Sequence, residues 1–439
     1  MPSNFPLLRP PTGGQDFMFA TGCENSYPTI RWEGKQVRRD GMELSGHYTH
    51  WQEDFRLVKE CGLDFLRYGP PYYRTNPRRS HYEWDFADET FSRLKEMGIH
   101  PIVDLCHFGV PDWLENFQNP EFPHQFANYA AAFARRFPWC ILYTPVNEIF
   151  VCSMFSGLRG WWNERLQSDR AFVTAMKHMC KANILAEEAI LKEQPAALFV
   201  QSESTSYFHP ATPEAHHHSY WENERRFLAL DLCYGHDVSG AMHEYLRENG
   251  VSLEDYHWFL HHGRKMTPQC IMGNDYYPDN EYLVTPDGRD TQSMGEVFGY
   301  YVITHQYYER YRLPVMHTET NRRDNEDDAE KWLQKQWRNV VQLKQDGVPI
   351  LGFTWYSLID QTDWDTGLRE INYHTNPCGL FNKERQPHKV GHAYPKIIRE
   401  WKPHLPLNSM SRNVEDRGNL GDGHADFRRH QHASSSGRS

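Results

Sequence analysis

Short apolar runs alternate along the chain with longer segments in which apolar residues recur at helical spacing. A short apolar run is typical of a strand that is buried on both faces, and helical spacing is typical of an amphipathic helix. Eight runs are predicted as strands: Phe17–Gly22, Phe65–Tyr68, Pro101–Cys106, Leu142–Val146, Leu198–Ser202, Ile271–Asn274, Pro314–Thr318 and Ile350–Trp355.

Helices are predicted between and after these strands, over Phe86–Met97, Glu121–Phe137, Ala171–Gln194, Glu222–Asn249, Gly295–Tyr311, Asp328–Asp346 and His388–Trp401. Eight strands alternating with helices are the pattern of a (β/α)8 barrel, and a chain of 439 residues suits such a barrel with enlarged loops. The sequence therefore predicts the α/β class and a TIM barrel that occupies residues 15–404 as a single catalytic domain.

Both ends of the chain differ from this pattern. Residues 1–14 form a proline-rich N-terminal extension without the apolar core of a secretory signal. Residues 405–439 are rich in Ser, Arg, Asn, Gly and His, and they hold too few apolar side chains to fold, so we expect a disordered C-terminal tail. No apolar run is long enough to span a membrane.

Composition narrows the partners and the compartment. The chain has 47 Lys and Arg against 58 Asp and Glu, a net charge of −11, which disfavours nucleic acid and anionic membranes as partners. Nine scattered cysteines without a CxxC pair are typical of reduced thiols in a cytoplasmic protein. No nucleotide-binding glycine motif occurs, so no cofactor is expected. A homo-oligomer is compatible with the sequence.

Histidine clusters at His216–His218 and His261–His262 raise the question of a metal site. Neither cluster is accompanied by further ligands at the spacing of a zinc motif. Solvated loop or helix faces explain both clusters, and the sequence predicts no metal site.

Two glutamates follow predicted strands on opposite sides of the barrel. Glu148 comes after the fourth strand and Glu319 after the seventh, and the mouth of such a barrel is built from these strand ends. A single glutamate at a strand end is more often a surface carboxylate or an arginine partner. A pair fits retaining glycosidases, in which two carboxyl groups lie about 5–5.5 Å apart.

The segments around these glutamates resemble the motifs of glycoside hydrolase family 1, the β-glucosidase family. TPVNEI at 144–149 is similar to TFNEP, HTETN at 317–321 to ITENG, and GNDYY at 273–277 to GLNYY. Further similar segments are 103–114, 352–364 and FLRYG at 65–69. The motifs keep their order from about Phe17 to Trp401, so the resemblance covers nearly the whole barrel.

The resemblance implies roles for individual residues. Glu319 would be the nucleophile and Glu148 the acid/base, while Arg67 and Tyr276 would hydrogen-bond the nucleophile. Asn147 would hold the sugar 2-hydroxyl. Further residues that we expect to bind the sugar are His107, Glu24, Trp355, Tyr356, Asp363 and Trp364.

Several sugar-binding positions depart from the family pattern. Proline, at Pro28, stands where the family has a glutamine that grips two hydroxyls, so that Glu24 or Asn25 would have to replace it. Tyr356 occupies a position where the family has a tryptophan, and Trp355 comes directly before it. Phe108 replaces another tryptophan of the family pattern, and Asp363 replaces a glutamate. We expect a retaining glycosidase acting on a terminal sugar of a small glycoside or oligosaccharide. A transglycosylase and a catalytically silent sugar-binding barrel are the alternatives.

Overall fold

The computed structural model describes residues 17–287 and 291–405. The predicted extension at 1–14 lies outside the described residues, as does the predicted tail beyond Leu405. Among the described residues, no helix has the length and apolarity that crossing a membrane requires.

Eight parallel strands close into a barrel, and each strand pairs with the strands before and after it in the chain. They are β1 (Met18–Gly22), β2 (Phe65–Tyr68), β3 (His100–Asp104), β4 (Leu142–Thr144), β5 (Leu198–Ser204), β6 (Cys270–Asp275), β7 (Val315–Glu319) and β8 (Ile350–Trp355). β8 pairs with β1 and closes the cylinder. The predicted TIM barrel and all eight predicted strands are confirmed.

Helices follow the strands around the outside of the barrel. The seven that occupy the usual positions are His47–Glu60, Asp85–Met97, Phe122–Arg136, Asp169–Glu193, Gly299–Tyr311, Glu326–Gln345 and Lys389–Trp401. The connection between β5 and β6 is enlarged and holds His216–Arg225, Leu228–Tyr234, Gly240–Glu248 and Leu253–Met266. Shorter helical turns are Gly41–Leu44, Tyr72–Thr75, Ile149–Ser153 and the π-helical Met154–Leu158.

The helices differ from the prediction in three places, one of which is the helix Leu253–Met266, which was not predicted. The single helix predicted over Glu222–Asn249 is wrong, because Gly235 takes a left-handed conformation with φ of 64° and ends the helix Leu228–Tyr234. The helix His47–Glu60 was not predicted from the pattern. Its buried face includes His47 and Asp54, which hydrogen-bond each other at 2.7 Å, and these polar residues interrupt the apolar periodicity.

The barrel interior changes character along its axis. An apolar layer fills the part below the strand ends and consists of Met18, Ala20, Ile102, Leu142, Leu198, Val200, Ile271, Met316 and Leu351. Polar side chains, among them Arg67, Asp104, Asp275 and Glu319, occupy the carboxyl ends of the same strands and are buried. The apolar layer therefore acts as a floor on which a polar site is built.

Short strands outside the barrel shape its mouth. Tyr207–Pro210, Glu281–Val284 and Thr291–Ser293 form a three-stranded sheet. Two hairpins add Thr29–Trp32 with Lys35–Arg38 and Gln361–Thr362 with Thr375–Asn376. The backbone N–H groups of residues 297, 298 and 299 all donate to the carboxylate of Glu281, which anchors the sheet to the following helix.

Candidate active site

A cavity of about 410 Å³ opens at the carboxyl ends of the strands. The predicted site residues on its wall are Glu24, His107, Glu148, Glu319, Tyr356 and Trp364. Such a volume suits a small ligand held by a few placed polar groups, and the wall also carries the aromatic rings of Trp161 and Tyr282.

Glu319 is the last residue of β7 and is only 4% exposed. The Arg67 guanidinium forms a close ion pair with one of its carboxylate oxygens, and the Tyr277 hydroxyl donates to the other at 2.7 Å. Burial alone would lower the pKa of Arg67, but the neighbouring carboxylates of Glu319 and Asp104 outweigh it and raise that pKa. Arg67 therefore stays charged and, together with Tyr277, holds the Glu319 side chain at the cavity wall.

Glu148 follows β4 with a left-handed backbone, at φ 40° and ψ 61°. This conformation costs a residue with a side chain about 1–2 kcal/mol, and it is kept here by the hydrogen bond from the Glu148 N–H to the Ser202 carbonyl at 3.0 Å. Burial is the main reason that the pKa of Glu148 lies well above its usual value, followed by the neighbouring carboxyl groups of Asp275 and Glu319. These surroundings favour the protonated form of Glu148.

A series of hydrogen bonds joins the ends of β3 and β4 to Arg67 in β2. Asn147 accepts from Arg67 at 2.7 Å through Oδ1, and its Nδ2 lies 3.2 Å from Nε2 of His107. His107 contacts Asp104 at 2.7 Å through Nδ1. A neutral imidazole with its proton on Nδ1 satisfies both contacts, because Nε2 then accepts from Asn147. These hydrogen bonds fix the orientation of Asn147, which is fully buried, and of His107, which lies on the cavity wall.

The opposite part of the wall is built around Glu24. Its carboxylate accepts from the backbone N–H of Ser26 at 3.0 Å and from Nε2 of Gln361 at 2.5 Å. Tyr356 packs so tightly over Gly22 that a Cβ atom at Gly22 would overlap its ring. Glu24, which the sequence offered as a replacement for the missing glutamine, thus reaches the cavity together with Gln361.

The sequence profile of glycosyl hydrolase family 1 matches residues 27–259, which is more than half of the chain. The chain belongs to glycosyl hydrolase family 1. The resemblance to family 1, and the β-glucosidase-like glycosidase that it implied, are thereby confirmed at the level of the family.

Relatives of this family 1 hydrolase match most of its length. A beta-glucosidase of Agrobacterium sp. is 22% identical over 408 residues, covering 82% of this chain and 87% of the relative. The 6-phospho-beta-glucosidase AscB of Escherichia coli is 22% identical over 378 residues, covering 75% and 78%. A beta-glucosidase structure from Thermotoga maritima, in complex with castanospermine, has a TM-score of 0.73 at 19% identity and covers 88% of this chain and 98% of that chain.

One predicted contact belongs to a neighbouring residue. Tyr276 was expected to hydrogen-bond Glu319, and this prediction is wrong: its hydroxyl donates to Glu281 at 2.8 Å, away from the cavity. Tyr277 makes the contact with Glu319 instead. Both tyrosines belong to the GNDYY segment, so the motif was informative but did not show which ring turns inward. Gln361 was missed because its partner Glu24 lies 337 positions earlier. Asp104 was missed although its partner His107 is only three residues away.

The two tyrosines provide a matched pair of variants. Tyr277→Phe is expected to lower kcat/KM by about 10–100-fold, because a hydrogen bond to a charged group contributes about 1.5–3 kcal/mol. Tyr276→Phe should leave kcat/KM nearly unchanged and lower the melting temperature instead, since its partner Glu281 anchors a loop. Steady-state kinetics and thermal melts of both variants test this. Equal losses of kcat/KM in the two variants would contradict the assignment.

Two residues expected to bind sugar have other partners. Asp363 is fully buried and forms an ion pair with Arg39 at 2.7 Å, while its carboxylate also accepts three backbone N–H groups, from residues 372, 373 and 374. Trp355 is fully buried and donates from its indole to the Cys378 carbonyl at 2.9 Å. Neither side chain lies on the cavity wall. The sugar-binding predictions for Asp363 and Trp355 are therefore wrong, whereas Trp364, next in sequence, does line the cavity.

Removal of the Asp363 carboxylate is expected to destabilise the protein. Asp363→Ala leaves the buried Arg39 without its partner, and breaking a buried ion pair in this way costs about 3–5 kcal/mol. Asp112→Ala is the control, because Asp112 also pairs with an arginine but its side chain is 85% exposed, and such pairs contribute about 0–1 kcal/mol. Urea unfolding followed by tryptophan fluorescence measures both. A small loss for Asp363→Ala would mean that the pair does not hold the loop.

Proposed function

We propose that this family 1 hydrolase is a retaining β-glycosidase that removes a terminal sugar from a small glycoside or oligosaccharide. Glu319 is the nucleophile and Glu148 is the acid/base. Two carboxyl groups in contrasting surroundings face one cavity, and this contrast carries the proposal. Both groups are buried, but Glu319 is held by a guanidinium and a phenol, whereas burial and neighbouring carboxyl groups raise the pKa of Glu148.

In the first step the Glu319 carboxylate attacks the anomeric carbon while the bond to the leaving oxygen breaks. Glu148 gives its proton to that oxygen, so that the leaving group departs as a neutral alcohol. In the second step the Glu148 carboxylate takes a proton from water. The water oxygen then bonds to the anomeric carbon, and the ester to Glu319 breaks, which regenerates both groups.

The pKa of Glu148 fits both steps. Before attack, burial and the charge of Glu319 raise this pKa and favour the protonated acid. Esterification removes the negative charge of Glu319. The pKa of Glu148 then falls, and the group becomes the base that the second step needs.

Asn147 is proposed to hold the 2-hydroxyl of the bound sugar, and His107 and Glu24 to contact its other hydroxyls. Support comes from the position of His107 and Glu24 on the wall and from the hydrogen bond between Asn147 and His107. Trp364 would cover an apolar face of the ring.

A cytoplasmic location is supported by the nine cysteines, all of which are buried and free in the described part of the chain.

The proposal is tested by incubating the protein with a panel of aryl β-glycosides and following the released sugar by proton NMR. We expect the β-anomer to form first, before mutarotation, for at least one sugar of the panel. Initial release of the α-anomer would overturn the retaining mechanism. No turnover of any glycoside would favour the sugar-binding barrel, and a sugar product transferred to an added acceptor would favour the transglycosylase.

A further inference from the structure

A third carboxyl group lies between the two proposed catalytic glutamates. Asp275 is the last residue of β6, is fully buried, and has its Cα paired in register with that of Glu319. In the GNDYY segment it stands where the resembling motif GLNYY has an uncharged asparagine. This chain therefore has an ionisable carboxyl next to the proposed nucleophile, at a position where an asparagine amide of the same shape would carry no charge.

The contacts of Asp275 suit a carboxyl that holds a proton. Both of its oxygens lie within hydrogen-bond distance of the Ser202 hydroxyl, at 2.8 and 2.6 Å. A serine hydroxyl has one proton but two lone pairs. It can therefore donate to one carboxyl oxygen and accept from the other, which satisfies both contacts when Asp275 is protonated.

The charges around Asp275 also favour the protonated form. Carboxyl groups face it from three other strand ends, namely Glu148 after β4, Glu203 in β5 and Glu319 in β7, together with the Tyr277 phenol. The cation acting on it is Arg67 from β2, which is already paired with Glu319. Four buried carboxylates beside one guanidinium would repel one another strongly. Burial and the charge of Glu319 raise the pKa of Asp275 to about 8.

We propose that Asp275 is a positioning residue that holds a proton in the resting protein and, through its charge, sets the pH at which Glu148 loses its acid proton. The inference rests on the proposed function of Glu148. As pH rises, ionisation of Asp275 places a negative charge beside Glu148. That charge opposes ionisation of Glu148, so activity that depends on the Glu148 proton extends to higher pH.

Asp275→Asn keeps the shape of the side chain and removes its charge. We expect the alkaline limb of the kcat/KM profile to move to lower pH by about one unit, because Glu148 then loses its proton without the opposing charge. Glu187→Gln is the matched control. Glu187 is another buried carboxyl whose pKa is raised to about 8, but it lies on the helix Asp169–Glu193, whereas Asp275 ends a barrel strand beside Glu319. Glu187→Gln should leave the alkaline limb of the kcat/KM profile where it is in the wild type.

An unchanged limb in Asp275→Asn, or an equal shift in Glu187→Gln, would overturn the inference. If Asp275→Asn does not fold, infrared spectra of wild-type protein with ¹³C-labelled aspartate provide the test. A buried protonated carboxyl band that disappears near pH 8 is expected, and a fully ionised aspartate spectrum at pH 6 would overturn the inference. The spectrum requires no turnover, so it tests the proton on Asp275 independently of the proposed function. The proposed function fails separately, if the wild-type protein hydrolyses no glycoside.

Discussion

Replacing Glu319 with alanine is expected to lower kcat/KM for an aryl glycoside by about 10⁵-fold, the scale of loss when a covalent nucleophile is removed. The variant keeps Arg67, Tyr277 and Glu148, and therefore keeps the binding and acid groups, but it has no group that can bond to the anomeric carbon. Steady-state kinetics with the same aryl glycoside for wild type and variant measures the loss.

Azide distinguishes a lost nucleophile from a damaged fold. The truncated side chain leaves room beside Arg67 for a small anion, and attack by azide should give a glycosyl azide of inverted configuration, with a rise in rate. Asp327→Ala is the control, because Asp327 lies on the surface with a 65% exposed side chain, paired with Lys389. The Asp327→Ala variant should retain wild-type activity, and added azide should not change its rate. Full activity in Glu319→Ala would refute the role of Glu319.

Replacing Glu148 with alanine is expected to give a loss that depends on the leaving group. An alkyl glycoside, whose leaving oxygen needs a proton, should lose about 10²–10⁴-fold in kcat/KM, the usual contribution of a general acid. A dinitrophenyl glycoside needs little protonation, so its kcat/KM should fall far less. Azide should give a product of retained configuration, because it replaces the water of the second step.

The comparison of leaving groups is made by plotting log kcat/KM against the pKa of the leaving phenol for wild type and Glu148→Ala. A steep line for the variant and a shallow one for wild type are expected. Parallel lines would show that Glu148 does not transfer the proton. The structure supports a proton on Glu148 before attack, because burial and the charge of Glu319 raise the pKa of Glu148.

The barrel could be predicted from sequence because its signal is local. Each strand is a short apolar run, and a run such as Ile350–Trp355 is buried along its whole length. The helix His47–Glu60 could not be predicted in this way, because His47 and Asp54 occupy its inner face. Polar residues on that face are satisfied by partners elsewhere, such as Arg385, which contacts Asp54 across the fold.

The candidate site was predictable only as far as strand ends determine it. Glu148, Glu319 and Arg67 come directly from the strands or their ends, so their position follows from the barrel. The positions of residues in loops could not be predicted from the strand order. Asp363 is drawn away from the cavity by Arg39, which lies 324 positions earlier, and Gln361 reaches the cavity wall beside Glu24, 337 positions earlier. Such pairings depend on loop conformations that no short sequence pattern records.

The covalent intermediate is the most direct test of the central claim that Glu319 is the nucleophile of a retaining glycosidase. A 2-deoxy-2-fluoro glycoside with a good leaving group slows the second step, so that the glycosyl-enzyme accumulates and can be digested and mapped by mass spectrometry. We expect a mass increase of one fluorosugar on the peptide that contains Glu319, and none in Glu319→Ala. Labelling of a different residue, or turnover of the sugar without any labelled peptide, would contradict the account.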